Sequence, residues 1–293
     1  MLHSGGNTNR KKDTGKNAIG FLLITPWLIG LFVFKLLPLA WSLYMSFTDA
    51  GPGDRMGFVG LRNYMEILEG TSLSLTLRYA GTVALLRTGV ALFFAYLLSS
   101  RLWINRILGR MLLVPSLLGT MTLAVLWRAL FREQGVVNAL LGMLGFMPVN
   151  FFSHPTWAFV TLVILRVWQF GVILLLLLSA LDGLPQDLYE AACLEGADEG
   201  TAFRRITLPM LFPAVAFSLA AQMILALQEF TGPYMITYGG PKKATNLLAL
   251  DLYNTAFRDG RTGMGAAESW VLLLLTLIPT GIAIISIRKG RDV

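Results

Sequence analysis

The sequence predicts an all-α, polytopic integral membrane protein with six transmembrane helices and both termini on the inner side of the membrane. Three observations predict it. Of 293 residues, 55% are hydrophobic and only 14% charged, with a mean hydropathy of +0.63; that charged share is about half of what a soluble globular domain carries. The apolar residues fall in stretches of about 20, the length that crosses a hydrocarbon core of about 30 Å. The basic residues are spread unequally around those stretches, as membrane orientation requires. The net charge of +7 is not a nucleic-acid signature, because no Lys/Arg-rich patch is interleaved with aromatics. A single cysteine, Cys193, excludes an internal disulfide and a thiolate cluster, and His3 and His154 add no metal centre.

The first apolar block, 19–46, follows the basic residues Arg10, Lys11, Lys12 and Lys16. It is too long for a signal-peptide core and no A-x-A-like cleavage site follows it, so it reads as an uncleaved span, kinked or interrupted near Pro26 or Pro38. Five further runs predict spans at 79–99, 111–130, 157–181 (with the leucine run 174–178), 210–230 and 269–287. The connecting loops carry turn chemistry, Gly51-Pro52-Gly53 and Gly239-Gly240-Pro241. They are long enough for short helices. No internal repeat interrupts the chain, which predicts one membrane domain, 18–287, between inner tails 1–17 and 288–293.

With the N-terminus inside, the inner segments hold 12 basic residues in 62 positions and the outer segments 9 in 98. The bias is about twofold and favours an N-in, C-in chain. One inner segment runs against it: Asp182, Asp187, Glu190, Glu195, Asp198 and Glu199 are all acidic.

That segment, between the fourth and fifth spans, reads as a helix, a glycine and a second helix. Pro185 suits a first turn, and Asp187 and Glu190 complement the helix dipole. Gly196 supplies the left-handed residue that ends the helix, and Asp198 caps a second, closing with Arg204 and Arg205 before Pro209 stops it. Leu188, Ala191, Ala192 and Glu195 share one helical face. By helix physics alone this is either an amphipathic connector on the lipid surface or a docking element for another protein. The six carboxylates, which anionic headgroups repel, weigh against the lipid surface.

The string Glu190-Ala191-Ala192, three residues, Gly196, nine residues, Ile206, one residue, Leu208-Pro209 resembles the EAA loop of permease subunits in binding-protein-dependent ABC importers, with every spacing kept. The likeness extends over nearly the whole chain. Pro38, Ser46-Phe47-Thr48, Phe58-Val59-Gly60-Leu61-Arg62-Asn63-Tyr64, Pro115, Trp127, Gly135-Val136-Val137-Asn138, Tyr238-Gly239-Gly240-Pro241, Thr245, Leu252-Tyr253 and Ala256-Phe257 are similar to the sugar-importer branch related to the maltose and glycerol-3-phosphate permeases.

This resemblance implies a cytoplasmic EAA coupling-helix loop over 185–209, with Glu190, Ala191, Ala192 and Gly196 seated on a cytoplasmic ABC ATPase. It implies as partners a second homologous permease in a heterodimer, two ATPase copies holding ATP and Mg, and an extracellular or periplasmic solute-binding protein. Membrane lipid surrounds the chain, no nucleic acid is involved, and the cargo is a mono- or oligosaccharide or a derivative. The place implied is the bacterial or archaeal cytoplasmic (inner) membrane. Cys193, inside the loop, is expected to act as a packed small hydrophobe.

Gln222, Leu225, Ala226 and Glu229 fall at i, i+3, i+4 and i+7, one stripe whose amide and carboxylate bracket two apolar positions, as a sugar would want. Aligned through Leu208-Pro209, the resemblance places them on the translocation pathway, with Trp168 and Gln169 of the fourth span. Interhelical hydrogen bonding for Gln222, a hydrated outer position for Glu229 and plain packing for Trp168 are the alternatives. Arg87 and Arg166 are expected to snorkel or to be structurally paired.

No cofactor or metal is expected in this chain, which the resemblance implies is a transport subunit and not an enzyme. It has no G-x-x-x-x-G-K-[ST] loop, since Gly15-Lys16 is followed by Asn17, so energy comes from a partner or from an ion gradient. Lys35, Arg87, Arg166 and Glu229 look too scattered for the relay of a gradient-driven carrier. An intramembrane enzyme would need an H-E-x-x-H, D-D-x-x-D or G-x-S-x-G constellation, and none is present.

Overall fold

The computed structural model describes residues 23–51, 56–99 and 103–289, and among them it contains helices and no strand, only an isolated bridge between Thr48 and Phe58. The tail 1–17, the start of the first apolar block, Pro52, Gly53, Arg101 and the end of the C-terminal tail lie outside the described residues.

The first helix, α1 (Leu23–Ser46), is continuous through Pro38. A π-helical turn, Phe32–Leu36, precedes that proline. The wider turn gives room where a proline ring would crowd the carbonyl four residues back, so the expected kink is a local widening and not an interruption. Almost all of α1 faces away from the bundle, and its C-terminal end is tied down by polar contacts. The Asn63 amide, on α2 (Arg62–Glu69), donates to the Ser46 and Thr48 carbonyls at 2.9 Å each. Tyr64 Oη lies 2.7 Å from Ser46 Oγ. Near the same junction Arg261 donates two 2.9 Å hydrogen bonds to Glu66, which hold the Glu66 carboxyl below its ordinary range.

The centre of the bundle is α3 (Thr71–Leu98). Its buried face runs Thr76, Ala80, Val83, Ala84, Arg87, Ala91 and Ala95, and these mostly small residues allow close helix approach where lipid offers no hydrophobic drive. Next come α4 (Trp103–Leu117), α5 (Thr120–Phe131) and α6 (Val136–Met143). The expected single span at 111–130 is not one helix: the chain breaks at Leu118-Gly119 and turns by 96°. Gly119 has the extended backbone of an N-cap, and Pro115 removes a ladder donor just before it. The expected span at 157–181 is likewise α7 (Pro155–Trp168) and α8 (Gly171–Asp182), bent by 44°. The two breaks are joined, for Ser116 Oγ accepts the Gly171 N–H at 2.9 Å.

After α9 (Gln186–Leu194) comes α10 (Glu199–Leu227), which passes through Pro209 and Pro213. The second loop helix therefore does not stop at Pro209 as expected; a π turn, Phe203–Thr207, again absorbs the proline and fuses it with the span. The short helices α11 (Thr231–Ile236) and α12 (Leu248–Tyr253), the latter extended by a π turn Asn254–Arg258, lead to α13 (Thr262–Lys289). Helices α10 and α13 pack on each other, and α3 packs on α7, α8 and α10.

Four of these helices, α1, α3, α10 and α13, are long and apolar enough to cross a membrane, and the count reaches six if each bent pair is one span. The long helices overrun the expected limits: α3 starts at Thr71 rather than 79, and α13 at Thr262 rather than 269. A helix satisfies its own backbone, so it continues past the apolar run that marks it in the sequence.

Candidate functional site

Two arrangements stand out: a buried polar network where helices break, and the exposed helix–glycine–helix element.

The network begins at Gln169, the first of the two residues between α7 and α8. The first ladder bond of α8 goes to the Phe170 carbonyl, from Leu174 at 3.0 Å. The Gln169 carbonyl accepts instead from Arg87 of α3, through Nε at 3.1 Å and through Nη2. Arg87 Nη1 donates to Gln222 Oε1 on α10 at 2.7 Å. The Gln169 side chain accepts from Arg166 Nη1 at 3.0 Å, and Arg166 Nε lies 2.9 Å from Glu229 Oε2 as an ion pair. Glu229 closes the chain by accepting the Gly232 N–H of α11 at 2.9 Å. Arg87, Gln169, Gln222 and Glu229 are each at most 7% exposed.

Two arginines and one carboxylate leave this region with one net positive charge, and Arg87 meets only neutral dipoles. A cation held so deep is costly in a low dielectric, and each of its three nitrogens donates a hydrogen bond that offsets the cost. Arg87, Arg166 and Glu229, which the sequence leaves scattered, are thus drawn into one chain with Gln169 and Gln222. Both arginines are structurally paired, as expected, and neither snorkels. Glu229 is not at a hydrated position.

The expected stripe on α10 divides. Gln222 and Ala226 face the core and Leu225 is 52% exposed on another side. Glu229 lies beyond Leu227, where α10 ends, so helical spacing does not set its direction. Trp168, also partly exposed, leans on Trp127 with ring centroids 5.2 Å apart, and Trp127 Nε1 donates to the Thr161 carbonyl at 3.2 Å.

Other buried polar groups were not foreseen from the sequence. Tyr79 Oη and Glu268 Oε2 have no hydrogen-bond partner among the described residues. Glu268 sits just ahead of the apolar run used to place the sixth span, which is the signal that marks it.

In the loop element, Gly196 has φ +79°, the left-handed conformation expected. The Gly196 N–H reaches the Cys193 carbonyl at 3.0 Å and the Ala197 N–H the Ala192 carbonyl at 2.9 Å, a Schellman cap. A Cβ at Gly196 would meet nothing within 4 Å. The dihedral and not crowding requires glycine there.

Asp198 is the N-cap of the following helix, and the Thr201 hydroxyl donated to it lowers its carboxyl pKa. Helix α9 has no buried residue: Glu190 and Ala191 are exposed and Ala192 half-buried. Cys193 is exposed, which corrects the expectation of a packed hydrophobe. The element is anchored by Tyr189, whose hydroxyl lies 2.8 Å from Thr207 Oγ1, and by Phe203, whose ring is 4.6 Å from that of Tyr96.

Residues 88–289 match the family described as binding-protein-dependent transport system inner membrane component. The chain is 36% identical to the probable ABC transporter permease protein YesP of Bacillus subtilis, over 95% of each chain. It is 35% identical to the trehalose/maltose transport system permease protein MalF of Thermococcus litoralis, over 97% of this chain and 98% of that one. Among solved structures, a chain of a bacterial alginate ABC transporter, crystallised in complex with an alginate pentasaccharide-bound periplasmic protein, superimposes with a TM-score of 0.78. It shares 18% identity and covers 96% of each chain, a likeness of fold.

Proposed function

This chain belongs to the family of binding-protein-dependent transport system inner membrane components, and from that membership we propose that it forms half of the translocation pathway of a carbohydrate importer. It is a multi-pass membrane subunit of an ABC transporter, a transport component and not an enzyme. In this reading each bent pair is one span, giving six, with both termini inside. A homologous permease completes the pathway, two ATPase copies carry ATP and Mg, and an external binding protein delivers the sugar. The trehalose/maltose system of the relative supports a saccharide as cargo.

The observation that carries the reading is α9. It projects without a buried residue and is fixed at its far end by the Gly196 cap, with Glu190 and Ala191 exposed to a partner and Ala192 half-buried beside them. We assign Glu190, Ala191, Ala192 and Gly196 to the ATPase contact. Because α10 is continuous from Glu199 to Leu227, a push on the loop is delivered along one rigid rod to the break beside Glu229. Such rigid-body transmission suits alternating access.

For the pathway, Trp168 and Leu225 supply exposed surface. Gln169, Gln222, Ala226 and Glu229 form the backing that holds that wall in this conformation.

Gly196→Val tests the coupling role. A β-branched residue at φ +79° costs about 1–2 kcal/mol and should unseat the cap. Uptake in proteoliposomes, and ATPase activity stimulated by the loaded binding protein, should be lost while insertion is unchanged. Normal uptake would refute the assignment.

A further inference from the structure

Between α10 and α13, five aromatic rings form a connected wall. Phe230 contacts Tyr234 and Tyr253, with centroids 5.0 and 5.2 Å apart. Tyr234 contacts Tyr238 at 5.6 Å and Tyr253 at 5.5 Å, and Tyr253 contacts Phe257 at 5.5 Å. The wall bounds an open cup of about 360 Å³, lined by Tyr234, Tyr238, Tyr253, Asn254, Phe257 and Arg258. Phe257 is 77% and Tyr238 64% exposed.

Three features separate this cup from ordinary packing. The hydroxyls of Tyr234, Tyr238 and Tyr253, the Asn254 amide and the Arg258 guanidinium make no hydrogen bond to other described residues. A lipid tail or an apolar partner helix would leave all five unsatisfied. Second, the backbone is held in uncommon states to form the rim: Tyr238 has φ +51°, disfavoured for a bulky residue. Asn254, Phe257 and Arg258 lie on a π turn, a distortion frequent at functional sites. Third, the cup adjoins the buried network, since Phe230 follows Glu229 and α11, which carries Tyr234, gives its Gly232 N–H to Glu229.

We propose that this cup is a carbohydrate-binding site, separate from the surface offered by Trp168 and Leu225. One sugar ring lays its C–H face on Tyr253 and Phe257, and its oxygens meet Asn254, Arg258 and the tyrosine hydroxyls. Flat rings beside unfilled donors suit a molecule that is apolar on its faces and polar at its edge. Arg258 takes either a ring hydroxyl or a uronic carboxylate, the latter through two parallel bonds. The proposal rests on the carbohydrate-importer reading.

The test uses the full importer, with its ATPase and binding protein, in proteoliposomes. Maltotriose, arabinotriose and a mannuronate trisaccharide are offered, and uptake is measured for Tyr253→Ala, Phe257→Ala, Tyr253→Phe and Arg258→Gln. The two alanine variants should raise the KM of the transported sugar about tenfold, the loss of roughly 1.4 kcal/mol of ring contact, with the maximal rate within about twofold. Tyr253→Phe keeps the ring and should restore most of the loss.

Arg258→Gln should raise KM for the sugar that is carried, by more for the mannuronate than for a neutral sugar if a carboxylate is the arginine's ligand. An unchanged KM in both alanine variants overturns the site, as does co-purification showing that either variant releases the second permease, which would make the cup a subunit seam. Uptake of none of a broad sugar panel by the unaltered importer would instead overturn the carbohydrate reading.

Discussion

At the scale of residues, burial and not sequence distance decides what each charge does. The 2.9 Å contact between Arg166 and Glu229 joins residues 63 positions apart, and both side chains are at most 12% exposed. Removing one partner leaves the other charge buried alone, at a cost of about 3–5 kcal/mol, whereas replacing both with apolar groups is often close to neutral. Glu229→Leu should therefore lower the denaturation midpoint of the purified complex strongly, and Arg166→Leu added to it should recover much of the loss. Additive losses in the double variant would mean that the pair is not coupled. Gln169 caps the end of α7 three positions after Arg166, so their contact was legible from spacing. Nothing in the sequence connects Arg87 with Gln169, because the carbonyl it fills exists as a free acceptor only where α7 ends.

At the scale of elements, prolines and glycines set where helices bend, but their neighbours set how. Pro38 and Pro209 each follow a π turn and leave a continuous helix, while the breaks fall at Leu118-Gly119 and Gln169-Phe170. Gly171 shows the packing reason. A Cβ there would lie 2.7 Å from both the Leu112 carbonyl oxygen and Leu113 Cα, which are backbone atoms of α4 and cannot yield cheaply. Gly171→Ala should cost about 1–3 kcal/mol through overpacking, seen as a lowered thermal midpoint. Gly89→Ala, inside α3 where nothing lies within 4 Å, should keep or slightly raise it; equal losses would show that α4 and α8 are free to separate. The helix–glycine–helix element was the most legible part of the chain, because capping is local chemistry and Gly196 needed no tertiary partner to be placed.

At the scale of the whole molecule, the bundle leaves much apolar surface uncovered, α1 above all, as a chain bounded by lipid and by a second permease would. Its single cysteine offers a direct test of orientation. Cys193 is exposed on α9, so a membrane-impermeant maleimide should label it in inside-out vesicles and not in intact cells, and bound ATPase should slow the reaction. Labelling from the outside would invert the topology and remove α9 from any cytoplasmic contact. The sequence by itself determined the all-helical membrane class, the approximate places of the apolar runs, the family and the Gly196 cap. Each follows from composition, from a short-range period or from a spaced motif, which are properties of neighbouring residues. Only the tertiary structure decided that two expected spans are bent pairs, that three charges far apart in sequence form one buried chain, and that five aromatic rings converge on a cup. Those depend on which helices touch, and packing between distant segments leaves no period in the sequence to read.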